Sequence, residues 1–117
     1  MIIKTVAIFA INVEMEFWIG QNAQDNTELI EKADESDLWF HVSDSPSCHV
    51  VARIASLTLD KKQLKYIVKQ GAILCKQHTK SVASLKNVAF MYAYICDVEV
   101  TDVPGSVLTK NTKTVVI

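Results

Sequence analysis

Hydrophobic and polar residues alternate along the start of the chain with the two-residue period of a half-buried β-strand. Over residues 13–19 apolar side chains recur at every second position, and acidic residues lie between the first of them. We therefore predict strands over residues 2–10 and 13–19. Asp25, followed three residues later by Glu28, predicts a capping box that opens a short helix ending near residue 33.

A β-hairpin is predicted next, because stretches 37–42 and 48–55 are rich in β-forming residues and flank the turn-forming cluster 43–47. A loop over 43–47 sets the register, and one face then carries the cross-strand pairs Asp37–Arg53, Trp39–Val51 and His41–His49. The opposite face is predicted to enter the core, and it carries Leu38, Phe40, Val42, Cys48, Val50 and Ala52.

The clearest predicted element is a long helix over residues 61–80, capped by Asp60. Its predicted core side carries Leu64, Ile67, Val68, Gly71, Leu74, Cys75 and His78. Its lysines cluster on the opposite side, at Lys62, Lys65, Lys69, Lys76 and Lys80. A solvated face is the simplest interpretation of this cluster. The helix has no acidic residue to pair with these lysines, however, and that absence favours phosphate binding.

Four more strands are predicted, over residues 87–96, 98–101, 106–109 and 112–117. The order ββαββα followed by strands predicts an α+β fold with a mostly antiparallel sheet, one short helix and one long helix. The length of 117 residues and the absence of a linker indicate a single compact domain over residues 1–117. The last strand is predicted to be an exposed edge, at which a second copy could pair to form a homodimer.

The net charge of −1 is the sum of regions of opposite sign. Residues 1–60 hold three basic and ten acidic side chains, whereas residues 61–90 hold seven lysines and no acid. A polyanionic partner is therefore compatible with the balanced total. No apolar run is long enough to span a bilayer, so no membrane partner is expected. Three cysteines without a CxxC spacing favour a reducing, cytoplasmic setting.

Candidate chemistry concentrates on the predicted hairpin face. Trp39 offers a platform on which an unpaired base can stack, and His41 and His49 can donate to a phosphate or a base edge. A metal would need a third ligand such as Asp44 beside the two histidines, and their spacing matches no known ligand pattern. Cys48 and His49 are neighbours whose side chains should point to opposite faces of a strand, which disfavours a nucleophilic pair. We expect no catalytic residue, no metal and no cofactor.

Several short segments of the sequence together resemble the NFACT-R domain family. They are Ile-Gly-Gln-Asn at 19–22, Asp-Asn-Thr-Glu-Leu-Ile at 25–30, Asp-Leu-Trp-Phe-His-Val at 37–42, Pro-Ser-Cys-His-Val-Val at 46–51, Pro-Gly-Ser-Val at 104–107 and Lys-Thr-Val-Val at 113–116. Two departures stand out. Cys48 replaces the usual small serine, and Asp97, Glu99 and Asp102 occupy a segment that is typically basic in the family.

The resemblance implies an RNA-binding module. The family occurs in ribosome quality-control factors of the NEMF and RqcH type and in a small family of eukaryotic coiled-coil proteins. Its RNA partners would be tRNA or ribosomal RNA, and a ribosome or a ribosome-associated protein is a further implied partner. The polar signature positions of the family fall here on Asp37, Trp39, His41, Ser47, His49 and Arg53.

Our main hypothesis is a standalone RNA-binding domain and not an enzyme. The helix lysines would contact phosphates and the signature residues would contact a base or the backbone. We expect the lysine-bearing helix and the Trp39 face of the hairpin to face the same way and to form a joint cradle. One alternative is a protein–protein interaction module that docks on a ribosomal or assembly-factor partner. A less favoured alternative is a histidine-dependent RNA-processing enzyme.

Overall fold

The computed structural model describes all 117 residues and confirms the α+β fold. The helices are α1 (Ala23–Lys32) and α2 (Lys61–Gln77). The strands are β1 (Ile2–Ile8), β2 (Val13–Ile19), β3 (Leu38–Val42), β4 (Val50–Ala52), β5 (Ala89–Tyr94), β6 (Val98–Val100), β7 (Val107–Thr109) and β8 (Lys113–Val116). Neither helix is both long and apolar enough to cross a membrane.

Six of the strands form one antiparallel sheet in the order β1-β2-β4-β3-β5-β8, and β6 and β7 form a separate two-stranded ribbon. Strands β3 and β4, which carry the hairpin, therefore lie in the middle of the sheet. Strand β8 is an edge, as the sequence predicted, and β1 is the other edge. The homodimer suggested by this edge stays a prediction.

The register predicted for the hairpin is confirmed. Trp39 lies opposite Val51, and the pairs on either side keep the same offset. The two outer pairs of the prediction extend beyond the hydrogen-bonded strands, but their side chains meet. The rings of His41 and His49 lie 4.8 Å apart, and the Arg53 Nε donates to the Asp37 carboxylate at 2.8 Å.

The two faces of the sheet are covered by different elements. Helix α2 packs against the face that carries Phe17, Phe40 and Val50, and together they form the larger core. Helix α1 and the β6–β7 ribbon cover the opposite face, where Trp39 and Val51 belong to a smaller core. Because neighbouring residues of a strand point to opposite faces, Phe40 and Trp39 take part in different cores.

The expectation of a joint cradle is wrong. Helix α2 and the Trp39 face of the hairpin lie on opposite sides of the sheet, and Trp39 is only 1% exposed beneath α1 and the β6–β7 ribbon. The physical reason is strand alternation. The apolar side of α2 covers the face that carries Phe40, and the adjacent residue Trp39 then has to point to the other side.

Several element ends also differ from the prediction. Helix α1 begins at Ala23, and its N-cap is Asn22, whose Oδ1 accepts the Asp25 amide at 2.9 Å. The predicted Asp25 cap is wrong because Asn22 has the same capping chemistry three residues earlier, and the extra turn packs Asn26 against the sheet.

Helix α2 begins at the predicted Asp60 capping box but ends at Gln77 rather than at residue 80. Strand β1 ends at Ile8 because residues 9–11 form a 3-10 turn that closes at Asn12 in the left-handed conformation. Strand β4 is shorter than the predicted 48–55 and covers only Val50–Ala52. These differences shift boundaries and leave the element order intact.

The Asp37 carboxylate holds the start of β3 against the end of β4. It is fully buried, and its Oδ1 accepts the backbone N–H groups of Ile54 and Ala55 at 2.8 and 2.9 Å. Its Oδ2 accepts the Asp34 amide and the Arg53 guanidinium. These donors satisfy the hydrogen bonds of the buried Asp37 carboxylate and pair its charge within the protein, so Asp37 is a structural residue.

We predict that Gly71→Ala destabilises the protein although alanine is the better helix former. A Cβ atom at position 71 would overlap the buried ring of Phe40 from β3. Overpacking of this kind costs about 1–3 kcal/mol and outweighs the propensity gain of up to about 1 kcal/mol. Urea unfolding measures the loss, with Gln77→Ala on the exposed side of α2 as the matched control. A Gly71→Ala protein as stable as the control would contradict the close contact between α2 and β3.

Candidate nucleic-acid interface

A polar cleft of about 680 Å³ opens where the start of α1, the β3–β4 connection and the end of α2 meet. Three of the signature residues line it, namely His41, Ser47 and His49. The other three do not reach it, because Asp37 and Trp39 are buried and Arg53 is held elsewhere. The signature therefore divides into residues that line the cleft and residues that support it.

Arg53 supports the framework from the Trp39 side of the sheet. Its guanidinium pairs with Asp34 and Asp37 and lies 3.9 Å from the centre of the Trp18 ring. The Arg53 guanidinium is therefore already engaged by two carboxylates and one aromatic ring of the protein. Arg53 is thus better explained by stability than by contact with a ligand.

The two histidines of the cleft form a packed pair whose protons are placed by the protein. The Trp39 indole N–H donates to His49 Nδ1 at 3.1 Å, so the proton of the neutral His49 ring sits on Nε2. His41 Nδ1 lies 2.6 Å from the Val42 carbonyl oxygen and donates to it. The His41 ring also stacks on Trp39, and the two imidazoles meet edge to face.

Both histidines are neutral at physiological pH. Burial, with a smaller contribution from the nearby His41, lowers the pKa of His49 to about 3. Burial also lowers the pKa of His41, although the hydrogen bond to Val42 opposes that shift. The pair therefore offers neutral hydrogen-bonding groups and no positive charge.

The backbone of His49 is held in place by two residues that sequence reasoning did not select. The His49 N–H donates to the Asn26 Oδ1 at 3.2 Å, and the His49 carbonyl accepts the Gly20 amide at 2.9 Å. A Cβ atom at position 20 would overlap Asn26 Oδ1, so only glycine allows this close approach. A polar Asn26 on the same helix face as Leu29 and Ile30 was the available signal.

The Pro104–Gly105 turn closes one side of the cleft. Gly105 has a φ of +80°, which favours glycine, and its N–H donates to Thr27 Oγ1 at 2.7 Å. The turn joins β6 to β7, so this bond fastens the ribbon to the start of α1. The cleft thus depends on segments that are far apart in the sequence.

The Ser47–Cys48 segment connects the cleft to the end of α2. Ser47 Oγ accepts the Val42 amide and donates to the Cys48 carbonyl, which shapes the loop. The Cys48 and Cys75 sulfurs lie 3.8 Å apart. Their hydrogen bond lowers the pKa of Cys48 to about 7 and, together with burial, raises the pKa of Cys75.

Cys48 and His49 do not form a nucleophilic pair. Cys48 packs against the larger core next to α2, whereas His49 hydrogen-bonds to Trp39 on the other face of the sheet. Cys75 is fully buried in α2 and belongs to the same core. No group of three or more His, Cys, Asp or Glu side chains is arranged to hold a metal ion.

The helix lysines lie on the far side of the sheet from Trp39, along a groove between α2 and β8. Lys65 and Lys69 line it together with Lys61 and Lys113, which were not in the predicted set. We call this groove the basic groove. Its floor is apolar and includes Leu64, Val68 and Tyr92, and no acidic residue lines it.

The other predicted lysines continue toward the end of α2. Lys76 Nζ donates to the Ile117 carbonyl at 3.2 Å, and Lys62 and Lys80 are exposed. The last of these, Lys80, follows His78 and Thr79, which line the cleft. The basic groove follows the first half of α2, from Lys61 to Lys69, whereas the cleft lies just beyond the C-terminal end of the helix, so the two surfaces share no lining residue.

Comparison with known proteins identifies the family. A family model described as the NFACT protein RNA binding domain matches residues 5–114. The chain belongs to this family. The match confirms the resemblance drawn from the sequence motifs and supports a nucleic-acid-binding module, and it covers nearly all of the chain.

A solved structure shares the fold of this NFACT domain. It is the C-terminal part of the fibronectin/fibrinogen-binding protein from Streptococcus suis, with 26% sequence identity and a TM-score of 0.72. The similarity covers 88% of this chain and 40% of that one, so the chain spans less than half of the solved relative. No curated protein matches the chain.

We predict that acid destabilises the domain through His49. The folded protein keeps His49 neutral down to about pH 3, whereas the unfolded chain takes up the proton near the ordinary value of 6.5. Between about pH 3 and pH 6.5 the protein therefore takes up a proton when it unfolds. Within this range the free energy of unfolding falls by about 1.4 kcal/mol for each pH unit below 6.5. Urea unfolding from about pH 7 to about pH 5 measures the slope.

His49→Gln is the matched control for this prediction, because glutamine can accept the Trp39 N–H and does not titrate. From about pH 7 to about pH 5, the free energy of unfolding of His49→Gln should fall by about 2 kcal/mol less than that of the native protein. An identical pH dependence of the two proteins would show that His49 is protonated in the folded state and would contradict its burial in neutral form.

Proposed function

We propose that the domain binds single-stranded segments of tRNA or ribosomal RNA, with phosphates along the basic groove and a nucleotide in the cleft. The observation that carries this proposal is a run of helix lysines without any acidic partner that leads to a polar cleft. From Lys61 to Lys76 the run extends about 22 Å, which is enough for several phosphates. The membership in an RNA-binding family supports the same function.

The two surfaces suit different tasks. Lysines of the basic groove provide charge, which gives affinity and carries no sequence information. The cleft holds its polar groups in fixed positions through Asn26 and Trp39, so it suits recognition of one nucleotide. Lys76 lies between the two surfaces along the sequence and Lys80 directly follows Thr79 of the cleft, so the bound strand would follow α2 from the basic groove toward the cleft.

A protein partner is the second candidate function, and the open edge of β8 favours it. An extended peptide could add to this edge beside the lysines of α2. A ribosomal or ribosome-associated protein that binds after nuclease treatment, and binds Lys65→Glu as well as the native domain, would support this function over RNA binding.

We predict that binding to a single-stranded RNA is strongly salt-dependent. If the groove neutralises about four phosphates, raising the salt from about 50 to about 300 mM weakens binding about 100-fold. The double variant Lys65→Glu, Lys69→Glu should bind at least about tenfold more weakly at low salt and show a shallower salt dependence. Fluorescence anisotropy with labelled RNA measures both effects.

The matched control is Lys4→Glu, Lys110→Glu, which makes the same change of net charge away from the groove. It should bind RNA much more like the native domain than the groove variant does. Equal losses in the two double variants would mean that only net charge matters, and binding that is insensitive to salt would contradict phosphate contact altogether.

A further inference from the structure

The cleft is polar and has no lysine or arginine in its lining, and the Cys48 thiol, whose pKa is lowered to about 7, is partly ionised at neutral pH. No lysine, arginine, aspartate or glutamate lines it, and its ionisable side chains are histidines and the Cys48 thiol. A phosphate group is an anion that needs cations or several converging donors. The lysines of this region lie in the basic groove and along α2, and the Met1 ammonium beside Ile2 is paired with the Asp25 carboxylate at 3.0 Å. The side chains that line the cleft therefore offer hydrogen-bonding groups to a neutral polar ligand and no lysine or arginine to a phosphate.

The histidine pair presents one donor and one acceptor to this cleft. His49 Nδ1 accepts from Trp39, so its Nε2 carries hydrogen and donates. His41 Nδ1 donates to Val42, so its Nε2 has a free lone pair and accepts. Neither Nε2 has a protein partner, and no side-chain nitrogen or oxygen is buried without one. Neither Nε2 is therefore completely sealed from solvent, although His49 is only 2% exposed and His41 is half-buried, and both rings line the cleft.

This donor–acceptor pattern is held rigidly. The Trp39 indole can only donate, so it keeps the lone pair of His49 on Nδ1 and the hydrogen on Nε2. The stack of His41 on Trp39 and the edge-to-face contact of the two imidazoles restrict rotation of the rings. A ligand that only accepts hydrogen bonds, as a phosphate does, leaves the His41 Nε2 without a donor.

We propose that the cleft binds an unpaired nucleobase, whose edge pairs with His49 as donor and His41 as acceptor. Each RNA base has an acceptor next to a donor on its Watson–Crick edge, and that edge is free only when the base is unpaired. This inference rests on the proposed RNA-binding function and specifies that the base, rather than the phosphate, enters the cleft. It makes His41 and His49 base-contacting residues and leaves the phosphates to the lysines.

The test compares two ligands that carry the same backbone charge. One is a labelled single-stranded RNA of about ten nucleotides with all four bases, and the other is an abasic ribose-phosphate chain of the same length. The native domain should bind the base-bearing RNA at least about tenfold more tightly than the abasic chain. This comparison needs no variant, so it does not depend on the folding of a mutant protein.

His41→Phe then assigns the preference to the histidine pair. Phenylalanine can keep the stack on Trp39 but removes the acceptor, so the preference for the base-bearing RNA should fall to less than about threefold. Lys65→Glu is the contrasting variant, because it should weaken the binding of both ligands by the same factor and leave the preference unchanged. Circular dichroism checks that both variants are folded.

Each other outcome overturns the inference in a distinguishable way. If the native domain binds both ligands equally and with steep salt dependence, base recognition is wrong while RNA binding through phosphates stands. If the preference persists in His41→Phe, a base is contacted outside the histidine pair. If neither ligand binds, the proposed function fails together with the inference.

Discussion

The hydrogen bond from the Trp39 indole to His49 is the interaction on which the candidate site depends. It joins the centre of β3 to the residue that leads into β4, and it lies beneath α1 and the β6–β7 ribbon. An indole N–H that is buried needs an acceptor, and His49 is the one the fold provides. The same bond decides which nitrogen of His49 faces the cleft, so a requirement of the core sets the chemistry of the surface.

Each face of the sheet holds one hydrophobic core and has one of the two candidate binding surfaces beside it. The face under α2 holds the larger core and places the lysines on the outside of the helix, next to β8. The other face holds the smaller core, and the cleft forms at its margin, where α1 begins. The acidic residues of α1 lie on the opposite side of the sheet from the lysines of α2, which helps a nearly neutral protein to keep a basic surface.

Features that depend on local periodicity were predictable from the sequence, and features that depend on three-dimensional packing were not. The pairing of Trp39 with Val51 follows from the alternation of side chains and the length of the loop. The burial of Trp39 does not, because the elements that cover it are α1 and a ribbon more than fifty residues away in the sequence. The same limit hid Gly20 and Asn26, whose contact with His49 exists only after α1 packs on the sheet.

RNA is proposed to contact both the cleft and the basic groove. Photocrosslinking with a single-stranded RNA that contains thiouridine, followed by mass spectrometry of the protein, tests this claim most directly. We predict crosslinked peptides from the segment that contains His41 and His49 and from α2. Crosslinks confined to β1 and β2, or the absence of crosslinks from both predicted segments, would contradict RNA contact at these two surfaces.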